Sequence, residues 1–127
     1  MVSLLLLSPI MFDPLYKNIS RYIHLSEEEF RQFTAPFQWK NFKKKDIVLR
    51  EGDYCLFEGF VLNGCFKIYY LNEKGFEQTL YFAVEGWWIT DIDSLLNDVP
   101  SILNIEALMD SEVLMISKKD KIGRAHV

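Results

Sequence analysis

The chain is poor in the residues that most chemistry needs. Among its 127 residues there are only two cysteines, Cys55 and Cys65, and two histidines, His24 and His126. Two thiols without an export signal do not make a disulfide framework, and they read as reduced structural cysteines in cytoplasm. Neither histidine lies between Phe37 and Ser117. That stretch therefore offers no histidine cluster for a metal and no nucleophile–His–acid set. Positive charge is also short: 14 Lys+Arg stand against 18 Asp+Glu, a net charge of −4. Such a balance leaves no electrostatic footprint for nucleic acid. No apolar run is long enough to cross a bilayer. Leu4-Leu5-Leu6-Leu7 lacks a basic flank and a small-residue cleavage site, which excludes a signal peptide. No membrane contact is expected. Residues 1–11 read as a non-native or disordered extension from a misplaced start, with a normal-looking domain beginning at Met11.

What is present suits one soluble domain. Half the residues are hydrophobic and a quarter charged, while a 15% aromatic share favours half-buried strand surfaces. Leu15, Ile19 and Tyr22 have helical spacing over 13–22, with Pro14 placed in the first turn. Ser26-Glu27-Glu28-Glu29 forms a capping box ahead of Phe30 and Phe33, and Pro36 ends that second helix. From Phe37 the apolar period becomes two. Phe37, Trp39 and Phe42 are expected to share a face, and Lys43-Lys44-Lys45-Asp46 reads as a solvated turn. Reversals are expected at Gly52-Asp53, Asn63-Gly64 and Lys74-Gly75, the Asn-Gly pair being a strong hairpin signal because both residues accept positive φ. Ile92–Leu96 suits one or two helical turns, and 102–108 and 113–116 are closing strands. Trp87 and Trp88 are expected to face opposite ways, one inward and one outward.

The turns Glu51-Gly52-Asp53, Asn63-Gly64 and Glu73-Lys74-Gly75, followed by Glu85-Gly86-Trp87-Trp88-Ile89-Thr90-Asp91, resemble in their order the sensor domain of the Crp/Fnr transcription regulators. The resemblance covers residues 12–120. It implies a mainly β fold: an antiparallel β-roll, double-stranded β-helix or jelly-roll-like, with short N-terminal helices. In that family a short helix between two strands forms a phosphate cassette. A glycine and a glutamate at the helix start, with an arginine further on, hold a cyclic nucleotide. Backbone N–H groups at a helix start plus a guanidinium fork are suited to an anion. Aligned without a gap between Trp88-Ile89 and Glu112-Val113, the glycine position falls on Thr90 and the glutamate on Asp91. The arginine falls on Ser101, and its neighbour on Ile102.

Each substitution works against a cyclic phosphate. Thr90 adds a Cβ where backbone must approach the ligand, Asp91 is a shorter carboxylate, and Ser101 carries no charge. Glu85, Asp91, Asp93, Asp98, Glu106, Asp110 and Glu112 occupy this stretch with no Lys or Arg among them. The expected pocket is thus degenerate towards cAMP, and no cofactor is expected. Two thiols also cannot supply the four ligands of the family's iron–sulfur branch.

The resemblance further implies a homodimer when the protein is full-length, an unidentified small-molecule effector, and DNA contact only through a C-terminal domain missing here. In such regulators ligand binding shifts a long helix after the roll and reorients a helix-turn-helix. Ser117 begins a helix-like start, but Ile122–Val127 resembles a translated sequencing adapter. Residues 121–127 are accordingly expected to be an artefactual tail, with the natural reading frame continuing past Asp120. The alternatives are a cupin-like metal-dependent β-barrel enzyme, disfavoured by the histidine count, and a scaffold roll without a ligand. Asp91, Asp93 and Asp98 do not match an EF-hand. Enzymatic activity is not expected.

Overall fold

Period-two alternation and glycine-bearing corners build two antiparallel sheets in the computed structural model. It describes residues 9–119, with side chains from Asp13 onward. Most of the expected extension and all of the expected tail at 121–127 lie outside the described residues. One sheet has the order β1-β8-β3-β6: β1 is Gln38–Phe42, β8 Ser111–Ser117, β3 Phe57–Asn63 and β6 Trp88–Ile89. The other has the order β2-β7-β4-β5: β2 is Ile47–Leu49, β7 Asn104–Ala107, β4 Cys65–Leu71 and β5 Glu77–Val84. Every pairing is antiparallel. The mainly β roll expected from the sequence is what forms.

Corresponding positions in the two sheets reveal how the roll is made. β3 and β4 pair with β8 and β7 in nearly continuous register, from Phe57↔Ser117 through Val61↔Val113 to Lys67↔Glu106. They pair on their other side with β6 and β5 in the same way. The strands are therefore long ribbons, each bent once from one sheet into the other. This corrects the expectation for Asn63-Gly64, which is a bend within one ribbon and not a hairpin. The dipeptide still signals its backbone correctly, since Gly64 has φ +115°. A Cβ there would lie 2.0 Å from Ser111 Oγ, so the bent ribbon presses against Ser111. Ser111 in turn accepts the Cys65 N–H at 3.2 Å. The lysine run forms a second corner, with Lys43 N–H on Asp46 Oδ2 at 2.8 Å and Lys45 N–H on Ala107 O at 2.7 Å. Asn72–Phe76 is a true hairpin turn: Asn72 Oδ1 accepts the N–H groups of Lys74 and Phe76. Gly75 supplies the positive φ that this turn requires.

Two apolar clusters follow. Between the sheets, Val61, Phe66, Ile68, Ala83, Ile89, Ile105 and Val113 are fully buried. Outside the β1-β8-β3-β6 sheet, Phe37, Phe60, Leu62 and Leu114 pack with Leu15 of α1 (Pro9–Ile19) and with Phe30 and Phe33 of α2 (Glu27–Thr34). Phe37 and Trp39 belong to this second cluster, whereas Phe42 packs inside the roll. An odd-to-even step in a strand changes face, so the three do not share one. The capping box forms as expected: Ser26 Oγ accepts Glu29 N–H, and Glu29 Oε1 accepts Ser26 N–H at 2.9 Å. These bonds also hold the Glu29 carboxyl below its ordinary pKa. Helix α1 departs from expectation at both ends. Pro14 lies within it, not in its first turn, and Tyr22 falls beyond it, 79% exposed. Among the described residues the helix runs from Pro9, so residues 9–11 of the expected extension are helical.

Candidate functional site

The chain between β6 and β7 holds the four residues singled out from sequence. After Ile89 it forms α3 (Ile92–Asn97), capped by Asp91, whose Oδ1 accepts the Ser94 N–H at 3.2 Å. The helix is short because Asp98 turns left-handed at φ +52° and Pro100 follows. The loop then returns to the sheets through Ser101. This residue is held at three points. Its N–H bonds Asp53 O, its C=O accepts the Gly52 N–H, and its hydroxyl donates to Asp91 Oδ2 at 2.6 Å. Ser101 Oγ also accepts the Leu103 N–H at 3.0 Å.

The structure thus brings Asp91 and Ser101 into direct contact, with Asp91 7% and Ser101 2% exposed. Among the described residues no Lys or Arg pairs with Asp91. Its buried carboxylate is satisfied by hydroxyl and amide donors, as burial of such a group demands. Thr90 donates its hydroxyl to Phe57 O at 2.8 Å and lies 3.5 Å from Cys55 Sγ. Ile102, in contrast, points away and is 69% exposed. Three of the four residues therefore form one connected cluster, and the fourth stands on the surface.

Sequence reasoning missed further members. Cys55, fully buried, accepts the Asp91 N–H at 3.4 Å, and its own N–H bonds Ser94 Oγ at 2.8 Å. Both cysteines are free thiols. Tyr81 on β5 packs against the core between the sheets. Burial pushes its phenol up from the ordinary 10.0, and the negative charge of Asp91 pushes it further. The alternation of β5, with Ala83 buried, was the available signal that Tyr81 also faces inward. The other acids do not converge. Asp93 accepts from Asn97 Nδ2 at 2.7 Å, and Asp98 forms an ion pair with Lys118. Among the described residues no group of three or more His, Cys, Asp or Glu could hold a metal, and His24 is exposed. No helix among the described residues is long and apolar enough to cross a membrane. Trp88 packs against Phe37 and Phe60 and donates its indole N–H to Asn18, while Trp87 stays 48% exposed, an opposition that matches expectation.

Comparison with known proteins bears on this geometry. The model of the cyclic nucleotide-binding domain family matches residues 39–122. The fold is similar to the sensor domain of the transcriptional regulator DNR from Pseudomonas aeruginosa, at 21% identity and a TM-score of 0.75, covering 92% of this chain and 77% of that one. It is similar also to the catabolite activator protein of Thermus thermophilus, at 22% identity and a TM-score of 0.73, covering 87% of this chain and 49% of that one. A third likeness is to the regulatory subunit of a cAMP-independent protein kinase A from Trypanosoma brucei. It has 16% identity and a TM-score of 0.73, and covers 87% of this chain and 39% of that one. The chain thus spans half or less of the length of the last two. No curated protein matches the chain in sequence.

Proposed function

This chain belongs to the cyclic nucleotide-binding domain family, and we propose that it serves as the sensor domain of a Crp/Fnr-like transcription regulator whose cassette is not built for cAMP. The observation that carries this reading is the 2.6 Å bond from the Ser101 hydroxyl to the Asp91 carboxylate. In the aligned cassette one of these positions would face the ribose and the other the phosphate. Here they face one another. A phosphate entering between them would have to break that bond and sit beside an uncompensated carboxylate. Removing the arginine forfeits a charge-assisted contact worth about 1.5–3 kcal/mol, at least tenfold in affinity.

Its cassette is an uncharged-ligand or ligand-free variant of the family's design, and the domain acts in cytoplasm as a responsive module and not as an enzyme. Its output would pass through the segment after β8. The ion pair between Asp98, at the end of α3, and Lys118 supports this route, as does the Lys118 N–H on Leu56 O at 2.7 Å. Dimerisation and DNA reading fall to parts of the regulator outside this chain, since a net charge of −4 gives the roll no footprint of its own. Titration calorimetry of the chain with cAMP tests the reading. No saturable heat is expected at low-micromolar concentration. Saturable binding that disappears in Asp91→Ala would overturn the proposal.

A further inference from the structure

Away from the cassette, where α1 meets the corner between β5 and β6, two cations face a cavity. A cavity of about 400 Å³ opens there, lined by Lys17, Asn18, Arg21, Glu85, Gly86 and Trp87. Lys17 lies on the last turn of α1 and Arg21 just past it, and both line the cavity. Among the described residues neither forms an ion pair. The floor is fixed. Asn18 Oδ1 accepts the Trp88 indole N–H at 3.2 Å, and its Nδ2 lies 3.5 Å from Gly86 O, which ties α1 to the corner. Gly86 N–H bonds Val61 O and Trp87 C=O accepts the Val61 N–H, so the corner itself is anchored to β3. One face of the Trp87 ring stacks on Tyr81, with centroids 5.8 Å apart and 24° between planes. The ring is held in place and still half-exposed.

We propose that this cavity binds a small aromatic carboxylate that also carries a hydrogen-bond donor. Each element has a partner on its wall. Lys17 and Arg21 take the carboxylate, Trp87 offers a pre-set flat surface for the ring, and Glu85 accepts from the donor. Stacking on an already immobilised indole avoids the cost of ordering it on binding. Two cations against one carboxylate leave a single positive charge, which a monoanion neutralises. A phosphate dianion would leave negative charge beside Glu85. None of the lining residues belongs to the Asp91–Ser101 cluster, and the two meet through Tyr81 beneath Trp87.

The test is titration of the ¹⁵N-labelled chain with 4-hydroxybenzoate, followed at the tryptophan indole N–H signals. The Trp87 signal is expected to move saturably with a dissociation constant on the order of 1 mM or tighter, a weak but specific affinity for so small a ligand. The exposed double variant Lys17→Gln/Arg21→Gln should weaken binding at least tenfold. In that variant the Trp88 signal, set by Asn18, should keep its position and report an intact fold. Acetate and phenol should each leave Trp87 unmoved over the same range. No saturation by about 10 mM would overturn the proposal. Equal binding by the double variant would also overturn it, as would inorganic phosphate or adenosine 5′-monophosphate binding as tightly.

Discussion

Replacing Ser101 with alanine isolates its hydroxyl contact with Asp91. The substitution removes one oxygen and leaves two groups without it. Asp91 Oδ2 loses its 2.6 Å donor, and the Leu103 N–H loses its 3.0 Å acceptor. A hydrogen bond to a charged group contributes about 1.5–3 kcal/mol, and an orphaned buried donor costs about 1–3 kcal/mol more. Asp91 is nearly but not wholly enclosed, so water recovers part of this. A net loss of about 2–4 kcal/mol follows, or roughly 8–16 °C in melting temperature for a domain of this size. Asp91→Asn is the informative second background, because its one amide oxygen can keep the Ser94 cap while its NH2 takes the place of Oδ2 and donates to Ser101 Oγ, whose own proton turns to Leu103 O. There the bond to residue 91 is neutral, and Ser101→Ala should cost only about 1 kcal/mol for that bond plus the same Leu103 share as in the parent. Urea denaturation of the parent, both single variants and the double variant gives the coupling energy, expected to exceed about 1 kcal/mol. Equal cost of Ser101→Ala in both backgrounds, within about 0.5 kcal/mol, would refute the claim that the hydroxyl serves the carboxylate.

Three other outcomes are expected. Gly64→Ala must accommodate both φ +115° and a Cβ 2.0 Å from Ser111 Oγ. It should lose about 3–5 kcal/mol by urea midpoint, where Gly75→Ala, with positive φ but open space, loses about 1–2 kcal/mol. Equal losses would show that the bend does not press on Ser111. Because the Tyr81 phenol is raised above 10.0, its protonated form is favoured by the fold. Its stabilisation is complete below that value and is lost as pH rises through the folded pKa. Thermal melts from about pH 9 to 11.5 should therefore fall more steeply for the parent than for Tyr81→Phe. Finally, Lys118→Ala should cost at most about 1 kcal/mol in stability, since Asp98 is largely exposed, while speeding hydrogen exchange in α3 if the ion pair steadies the cassette.

The architecture was legible because its signals are local. Alternation in β3, β4 and β8 sets which residues enter the roll, and the capping box at Ser26 starts α2 where the sequence puts it. The path of the chain at Asn63-Gly64 was not legible. Positive φ at Gly64 is a local property that serves a hairpin and a ribbon bend equally well. The choice depends on Ser111, forty-seven positions away. Helix α1 illustrates the same limit. Leu15 and Ile19 mark its buried side, but its boundaries depend on how much of it the outer face of the sheet can cover.

The cassette carries the distinction one step further. In the proposed alignment without gaps, Thr90 would stand in place of a glycine, Asp91 of a longer carboxylate and Ser101 of a guanidinium. Taken one by one, those are losses. The structure makes them a single arrangement. Asp91 is short enough to cap α3 through Ser94, and its second oxygen then points across to Ser101. A glutamate there would push its carboxylate past that hydroxyl, and an arginine at 101 could not fit a position that is 2% exposed and bonded on three sides. Thr90 adds a hydroxyl that bonds Phe57 O, which a glycine could not do. Asp91 and Ser101 depend on one another directly and Thr90 bonds the neighbouring strand, so restoring only one family residue should destabilise the domain without restoring affinity. Thr90→Gly, Asp91→Glu and Ser101→Arg introduced singly should each lower the melting temperature and show no cAMP heat, and any single change that yields micromolar binding would show that the cluster does not close the site.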